Sequence, residues 1–215
     1  MHKILTPAQM REAEQASVRL GMGLDKLMDN AGERLAKRIS SVSRRLMKRN
    51  AVILAGSGNN GGDGFKAAAH LAQQGIFPSV VLCCGDPKTE LSKAAFESMP
   101  SKIAVLDIGD ERVGGIISCA GIIADCVFGT GFHGELREEL RVLFGKINEL
   151  SVFRMACDIP SGVNSHNGRV SSGTFKADET LTFHRKKTGM FFSPAKEYCG
   201  KIITAAVSPL SPFPP

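Results

Sequence analysis

The chain has 215 residues, of which 43% are hydrophobic, and this is enough to bury one sizeable core in a single domain over residues 1–215. No stretch approaches the roughly 20 uncharged apolar residues of a membrane span, and residues 1–7 lack the apolar segment of a secretion signal. We therefore expect a cytoplasmic protein with no membrane partner. The formal net charge of +6 fits nucleic-acid binding as well as phosphate-bearing ligands, and it excludes neither.

The sequence before the first strand has a helical pattern from Pro7 to about Ile39, with Thr6 as a helix N-cap and a break near residues 21–23. It predicts two N-terminal helices. Basic residues accompany the apolar positions of the second helix at helical spacing, which indicates a solvent-exposed face. These basic residues are Arg34, Lys37, Arg38, Arg44, Arg45, Lys48 and Arg49.

Seven short apolar runs follow, separated by helical stretches, and this pattern is typical of buried parallel strands. The predicted strands cover residues 51–55, 79–84, 103–106, 121–128, 152–157, 179–183 and 201–204. The predicted helices between them cover residues 65–74, 90–98, 112–118 and 135–150. The alternation predicts an α/β fold, a Rossmann-like three-layer α/β/α sandwich with a mostly parallel sheet and its ligand beyond the carboxyl ends of the strands.

The cysteines lie mostly inside apolar runs, and their spacing fits neither a zinc site nor a disulfide framework. We therefore expect reduced thiols in the core of an intracellular protein. The six residues are Cys83, Cys84, Cys119, Cys126, Cys157 and Cys199.

The first strand leads into a segment of glycine and asparagine, GSGNNGGDG at residues 56–64. The segment contains G-x-G-x-x-G, and Asp86 follows about 20 residues later, so a plain dehydrogenase is one interpretation. Against it, we expect Asp63 in the first turn of the next helix, where a carboxylate would repel a diphosphate. The segment is better suited to polar groups or a cation. A tight turn capped by Asp63 is the remaining interpretation.

Acidic residues end two further strands. Asp125 lies in the strand GIIADCVF, where a carboxylate is costly without a partner, and hydrogen bonds from loop amides would satisfy it. The glycine-rich residues 129–134 follow, and we expect Glu135 to begin the next helix. Asp158 ends the strand VFRMACD and so points toward the same edge of the sheet.

Three residues near these strand ends offer only oxygen ligands: Asn60, Asp125 and Ser161. Together they carry too little negative charge for a tightly bound divalent ion. Their chemistry therefore suits a weakly held monovalent cation.

The segments GSGNNGGDG, DCVFGTGFHG and ACDIPSGVNSHNG, in this order, resemble the signature segments of the NAD(P)H-hydrate epimerase family, also called the YjeF N-terminal domain. The opening ILTPAQMREAEQ, LMDNAG and the later ADETLTFHRKKTGM are similar to that family too, so the resemblance extends from about Ile4 to Thr204. It implies an isomerase that interconverts the R and S forms of hydrated NADH or NADPH (NADHX and NADPHX), with no net redox change.

The resemblance also implies roles for individual residues. It implies potassium coordination by Asn60, Asp125 and Ser161, in agreement with their oxygen-only chemistry. The implied substrate contacts are Asn59, Asn60, Gly61, Gly62, Asp63, Gly129, Thr130, Gly131, Phe132, His133, Gly134, Glu135 and Asp158.

The carbon that such an enzyme inverts carries both a hydroxyl group and the ring nitrogen. Donation from the nitrogen can expel the hydroxyl, or the ring can open, if an acid assists. Asp158 is the site carboxylate least committed to the cation, so we expect it to be the general acid and base; contact with the ribose or nicotinamide is its alternative role. Lys187 has two interpretations, a phosphate contact or an ordinary surface lysine.

A function of another class remains open, because the same domain type resembles the RNA-binding and dimerisation module of mRNA-decapping enhancers. All three site segments are intact here, and a scaffold would have little use for Asp125 and Asp158 together, so we expect an enzyme and no nucleic-acid partner. A dehydrogenase ranks third, because no hydride-transfer acid pair accompanies the glycine-rich segment. The expected partners are NADHX or NADPHX, a second copy in a homodimer, and a separate or fused ADP/ATP-dependent NAD(P)H-hydrate dehydratase.

Overall fold

The computed structural model describes residues 21–208, and its centre is a seven-stranded sheet in which every pair of neighbouring strands is parallel. The strands are β1 (Asn50–Ala55), β2 (Phe77–Leu82), β3 (Ala104–Asp107), β4 (Ile122–Cys126), β5 (Phe153–Cys157), β6 (Glu179–Phe183) and β7 (Lys201–Ala205). Their order across the sheet is β3-β2-β1-β4-β5-β6-β7. The direction of winding therefore reverses between β1 and β4, and ligands of open α/β sheets bind at such a point.

Within residues 21–208, five α-helices cover the two faces of the sheet. They are α1 (Leu24–Leu46), α2 (Asn59–Gln73), α3 (Glu90–Glu97), α4 (Val113–Ser118) and α5 (Glu138–Glu149), and two short 3₁₀ helices follow at Thr188–Phe191 and Ala195–Glu197. Alternate residues of β1 divide between the faces: Ile53 packs with α1, α2 and α3, whereas Val52 and Leu54 pack with α4 and α5. This confirms the three-layer α/β/α sandwich.

The predicted elements are present with shifted ends. All seven strands form, but β2 begins and ends two residues before its prediction, and the run 121–128 contains a strand of only five residues. The prediction of a mostly parallel sheet was too cautious, since all seven strands are parallel. The second N-terminal helix is α1, whereas the first, with its cap at Thr6, lies outside the described residues.

Two helices begin elsewhere than predicted. The helix predicted from Phe65 begins at Asn59, and the helix predicted from Glu135 begins at Glu138 after an extended Arg137. Glycine and asparagine are poor helix formers, so the first segment has the composition of a loop. Tertiary packing of its glycines against the sheet overrides that preference.

Four of the six cysteines are buried, and all six are free thiols. Cys84 is half-buried and Cys119 is exposed, so the prediction of core cysteines is correct for most of them but wrong for Cys119. Burial raises the pKa of the Cys199 thiol to about 12. Among residues 21–208, no helix has the combination of length and apolar character that crossing a membrane requires.

The basic residues of α1 and the segment after it are exposed, as predicted, with one exception. Arg38 extends along the sheet to Glu179 at the start of β6, and its Nη2 donates to Glu179 Oε2 at 2.6 Å while its Nε donates to Oε1. The side chain of Glu179 is 3% exposed. This two-bond ion pair therefore connects the outer helix to a buried strand, and it is not part of a solvated face.

We expect Arg38→Ala to reduce the free energy of unfolding by about 3–5 kcal/mol, because it leaves the buried Glu179 carboxylate without its counterion. Lys37→Ala on the same helix is the control: its ion pair with Glu33 is exposed, so its loss should cost about 1 kcal/mol or less. Urea denaturation of the two variants measures both values. Equal destabilisation would contradict a special role for the Arg38–Glu179 pair.

Candidate active site

A cavity of about 660 Å³ opens at the carboxyl ends of the strands, beside the reversal point between β1 and β4. All seven parallel strands end at this edge, and the cavity lies beside the ends of four consecutive ones, β1, β4, β5 and β6. The lining residues are Ser57, Gly58, Asn59, Asn60, Asp63, Thr89, Val127, Phe128, Gly129, Thr130, Gly131, Phe132, His133, Glu135, Asp158 and Phe183. The volume is typical of a small-molecule or cofactor site.

The first wall of the cavity is the N-terminal end of α2. Gly62 N–H donates to the Gly58 carbonyl at 3.2 Å, so the helix is already formed where the sequence suggested a loop. The prediction that Asp63 lies in the first turn is therefore wrong: the first turn contains no acidic residue, and Asp63 lines the cavity from the second turn. Asp63 in the second turn therefore does not exclude a dehydrogenase.

Close packing explains why α2 begins with glycines. A Cβ atom at Gly61 would lie 1.9 Å from the Gly56 carbonyl oxygen, and a Cβ at Gly64 would lie 2.9 Å from the Cys126 Cβ. Only glycine lets the helix approach the ends of β1 and β4 this closely. Gly61 and Gly62 are buried in the helix and do not line the cavity.

A buried carboxylate connects the loops after β4 and β5. Asp125 Oδ1 accepts hydrogen bonds from Ser161 Oγ at 2.7 Å and from the Val127 amide at 3.1 Å, and its Oδ2 accepts from the Ser161 amide at 2.7 Å. Ser161 Oγ in turn accepts from the Phe128 amide at 2.8 Å. The predicted need of Asp125 for a partner is thus met by loop amides and a hydroxyl group. Burial nevertheless raises the pKa of Asp125 to about 6.

The three predicted cation ligands lie at this edge, and their chemistry fits a monovalent cation. No basic side chain in the described part of the chain forms an ion pair with the buried Asp125. The Asn60 Nδ2 is buried and has no hydrogen-bond partner among residues 21–208. Because the two ends of an amide can exchange by a flip, Asn60 can present an oxygen there instead. The described residues contain no group of three or more His, Cys, Asp or Glu side chains that could hold a metal ion.

Asp158 forms the far wall of the cavity, and the tight turn at the end of β5 positions it. Its φ is +67°, and the Ile159 amide donates to the Cys157 carbonyl at 2.8 Å, which makes a three-residue turn centred on Asp158. The Asp158 amide donates to the carbonyl of Leu181 in β6 at 2.8 Å. Strained backbone of this kind concentrates at functional sites.

Lys187 is the residue that the sequence interpretation misplaced. It is not a surface lysine, since its side chain is 0% exposed, and its ammonium group donates to Asp158 Oδ1. It also donates to Thr182 Oγ1 at 2.7 Å and to the Phe183 carbonyl at 3.2 Å. The pairing joins residues 29 positions apart, so no local sequence pattern could predict it.

The remaining predicted contacts divide between two cavities. Residues 129–133 and Glu135 line the main cavity, whereas Gly134 and Glu135 line a neighbouring one of about 420 Å³. Glu135 lies in the loop before α5, where its Oε2 accepts from Ser171 Oγ at 2.6 Å. The sequence interpretation did not include six further residues of the main cavity wall: Ser57, Gly58, Thr89, Val127, Phe128 and Phe183.

A doubly wound parallel sheet with a cavity and a buried carboxylate at its carboxyl edge defines a small-molecule-binding α/β protein. The model of the YjeF-related protein N-terminus family matches residues 24–189, and the chain belongs to this family.

Curated relatives agree with this assignment. The chain is 33% identical to an NAD(P)H-hydrate epimerase of Nitrosopumilus maritimus, over 86% of this chain and 87% of that protein. It is 36% identical to the bifunctional NAD(P)H-hydrate repair enzyme Nnr of Archaeoglobus fulgidus, over 85% of this chain but 36% of that protein. The chain therefore spans little more than a third of that bifunctional relative. The crystal structure of yeast ynu0 has the same fold, with a TM-score of 0.79, 21% identity, and coverage of 99% of this chain and 90% of that one.

We expect Gly61→Ala to reduce the free energy of unfolding by about 1–3 kcal/mol or more, because its Cβ would collide with a backbone oxygen that cannot rotate away. Gly58→Ala is the matched control, since no atom lies within 4 Å of its Cβ position, and it should change stability by less than about 1 kcal/mol. Chemical denaturation measures both. A tolerated Gly61→Ala would show that α2 does not need its close contact with β1.

Proposed function

We propose that this protein is an NAD(P)H-hydrate epimerase, which interconverts the R and S forms of NADHX or NADPHX. The observation that carries the proposal is the Asp158 carboxylate, held at the wall of a cavity that the three family segments line. The name of the Nitrosopumilus relative, which this chain matches over most of the length of both, supports the same activity.

The reaction needs a group that moves protons at the carbon bearing the hydroxyl and the ring nitrogen. In one route an acid protonates the hydroxyl, water leaves as the nitrogen donates its lone pair, and water adds back to the other face while a base takes its proton. In the other, a base takes the hydroxyl proton and the carbon–nitrogen bond breaks and re-forms. Asp158 can supply the acid and base of either route, and such transfer typically accelerates a reaction about a hundredfold to ten-thousandfold.

The rival functions receive less support. An RNA-binding module would use the basic residues around Arg44, Lys48 and Arg49, but these precede β1 and so lie at the amino-terminal edge of the sheet, opposite the cavity. They are exposed, which a solvated face explains. A dehydrogenase is disfavoured because the relatives are named for hydrate repair.

Potassium belongs to the proposal as a cation held by Asn60, Asp125 and Ser161. Its charge would offset that of the buried Asp125 carboxylate and stabilise the loops that form the cavity wall. The buried, unpartnered amide end of Asn60 and the lack of a basic partner for Asp125 among the described residues support it.

The partners and location are proposals as well. We propose a dehydratase, separate or fused, as a partner, and the relatives named as bifunctional NAD(P)H-hydrate repair enzymes support a second repair activity beside the epimerase. A homodimer stays a prediction. So does a cytoplasmic location, which the free thiols of all six cysteines support, because cytosolic thiols are kept reduced.

We expect Asp158→Asn to lose more than about nine-tenths of the epimerase activity, because an amide cannot exchange the proton. The assay is incubation with purified S or R hydrate, subtraction of spontaneous epimerisation, and chiral separation. Because the variant leaves the Lys187 ammonium without its counterion, its folding must be verified by thermal unfolding. Asp107→Asn is the control, since Asp107 is an exposed carboxylate at the end of β3 outside the cavity. Activity above about a tenth of wild type in the folded variant would exclude the acid and base role.

We expect potassium chloride to raise the unfolding temperature relative to choline chloride at the same ionic strength, because an ion that binds only the folded state stabilises it by about 2.7 kcal/mol at a hundred times its Kd. Ser161→Ala should abolish this difference between the two salts. Ser165→Ala should keep it, because that buried hydroxyl donates to the Thr130 carbonyl and is not part of the predicted cation site. A wild-type protein equally stable in both salts would contradict the potassium site.

A further inference from the structure

Lys187 is a fully buried cation whose hydrogen-bonding capacity is completely used. An ammonium group has three hydrogens, and the three acceptors of Lys187 are Asp158 Oδ1, Thr182 Oγ1 and the Phe183 carbonyl. It has no hydrogen left for a substrate phosphate. A buried ion is costly unless it is paired and hydrogen-bonded, so the position of Lys187 makes physical sense only through its carboxylate partner.

The two oxygens of Asp158 have different surroundings. Oδ1 accepts from Lys187 and lies 3.3 Å from the Phe183 amide and 3.4 Å from the Thr182 hydroxyl. For Oδ2, the described part of the chain provides no hydrogen-bond partner. The Asp158 side chain is 13% exposed and lines the cavity, so Oδ2 is the oxygen that has hydrogen-bonding capacity left for a ligand.

Other titratable groups near Asp158 cannot replace Lys187 as its counterion. His184 follows β6, and its burial lowers its pKa, so it is neutral at physiological pH. Cys157 ends β5 just before Asp158, and a hydrogen bond with Cys126 together with burial raises the pKa of its thiol well above the ordinary value. The remaining titratable residues of the same cavity are Asp63, His133 and Glu135. Lys187 is the only basic residue in the described chain within ion-pair distance of Asp158.

We propose that Lys187 is a positioning residue that keeps Asp158 ionised with Oδ2 directed into the cavity, so that the epimerisation starts with Asp158 as a base. The proposal rests on the proposed function and selects between its two routes. A resting carboxylate cannot protonate a leaving hydroxyl group, but it can accept the proton of that group.

The resulting step is balanced within the substrate and Asp158. Oδ2 takes the hydroxyl proton, the oxygen forms a double bond to carbon, and the carbon–nitrogen bond breaks with its electron pair on the ring nitrogen. The same proton then passes from Oδ2 to that nitrogen. The ring nitrogen then attacks the opposite face of the new carbonyl, and the proton returns from nitrogen through Oδ2 to the oxygen. The ring closes as the other epimer, and the substrate keeps its original oxygen.

The first test compares Lys187→Met with wild type. The acid limb of the pH profile of kcat should move to higher pH, because an adjacent opposite charge favours the ionised form of a carboxyl group. Lys186→Met is the matched control: it removes a neighbouring charge that lies over the Phe191 ring, at 5.9 Å, and should leave the profile in place. A lower rate with an unchanged profile would overturn the proposal.

A substrate-free measurement separates this proposal from the proposed function. Carbon-13 NMR of labelled aspartate follows the Asp158 carboxyl, identified by its loss in Asp158→Asn, and its titration midpoint should be higher in Lys187→Met. If Lys187→Met does not fold, Thr182→Val weakens the same pair and should give a smaller shift in the same direction, since Thr182 Oγ1 accepts from Lys187 at 2.7 Å. An unchanged midpoint in the folded variant would overturn the role of Lys187, whether or not the hydrate is the substrate.

The second test follows the oxygen atom. Wild-type protein converts the hydrate in water enriched in heavy oxygen, and mass spectrometry of the epimer at early times measures incorporation. We expect retention of the original oxygen, because the ring opens and closes without loss of the hydroxyl oxygen. Incorporation at the rate of epimerisation would mean that water leaves and returns, and it would overturn the base-first route.

Discussion

The hydrogen bonds of Asp125 hold together the edge of the sheet on which the candidate site depends. Its two oxygens receive the amide and hydroxyl of Ser161 and the amide of Val127, so the loops after β4 and β5 cannot move independently. Asp158 lies three residues before Ser161, and the glycine-rich residues 129–134 begin four residues after Asp125. A carboxylate that does not itself line the cavity thereby holds the loops after β4 and β5, which form two parts of the cavity wall.

Most of the fold was predictable because strands buried on both faces are continuous apolar runs, which the sequence displays directly. The ends of elements were less accurate, since they depend on contacts with residues that are distant in sequence. The beginning of α2 is the clearest case: its glycine and asparagine residues favour a loop locally, and only the surface of β1 and β4 makes a helix with glycines the better structure.

The site was predictable in part, for a related reason. Residues at the carboxyl ends of parallel strands must meet, so Asn60, Asp125 and Asp158 could be placed at one edge from the order of elements alone. The ion-pair partner of Asp158 could not be predicted in this way, because it depends on the path of the chain after β6, where the Lys187 side chain turns inward. The sequence interpretation considered a phosphate contact or the surface for this lysine, and the observed burial of its charge excludes the surface.

The ion pair of Arg38 with Glu179 spans 141 residues of chain. Synthesis proceeds at about 5–20 residues per second, and α1 is made well before β6. Arg38 is therefore without its counterion for on the order of ten seconds. Throughout that interval the apolar side of α1 has no completed sheet to cover. Contacts between residues so distant in sequence slow folding, and apolar surface that stays exposed meanwhile favours aggregation.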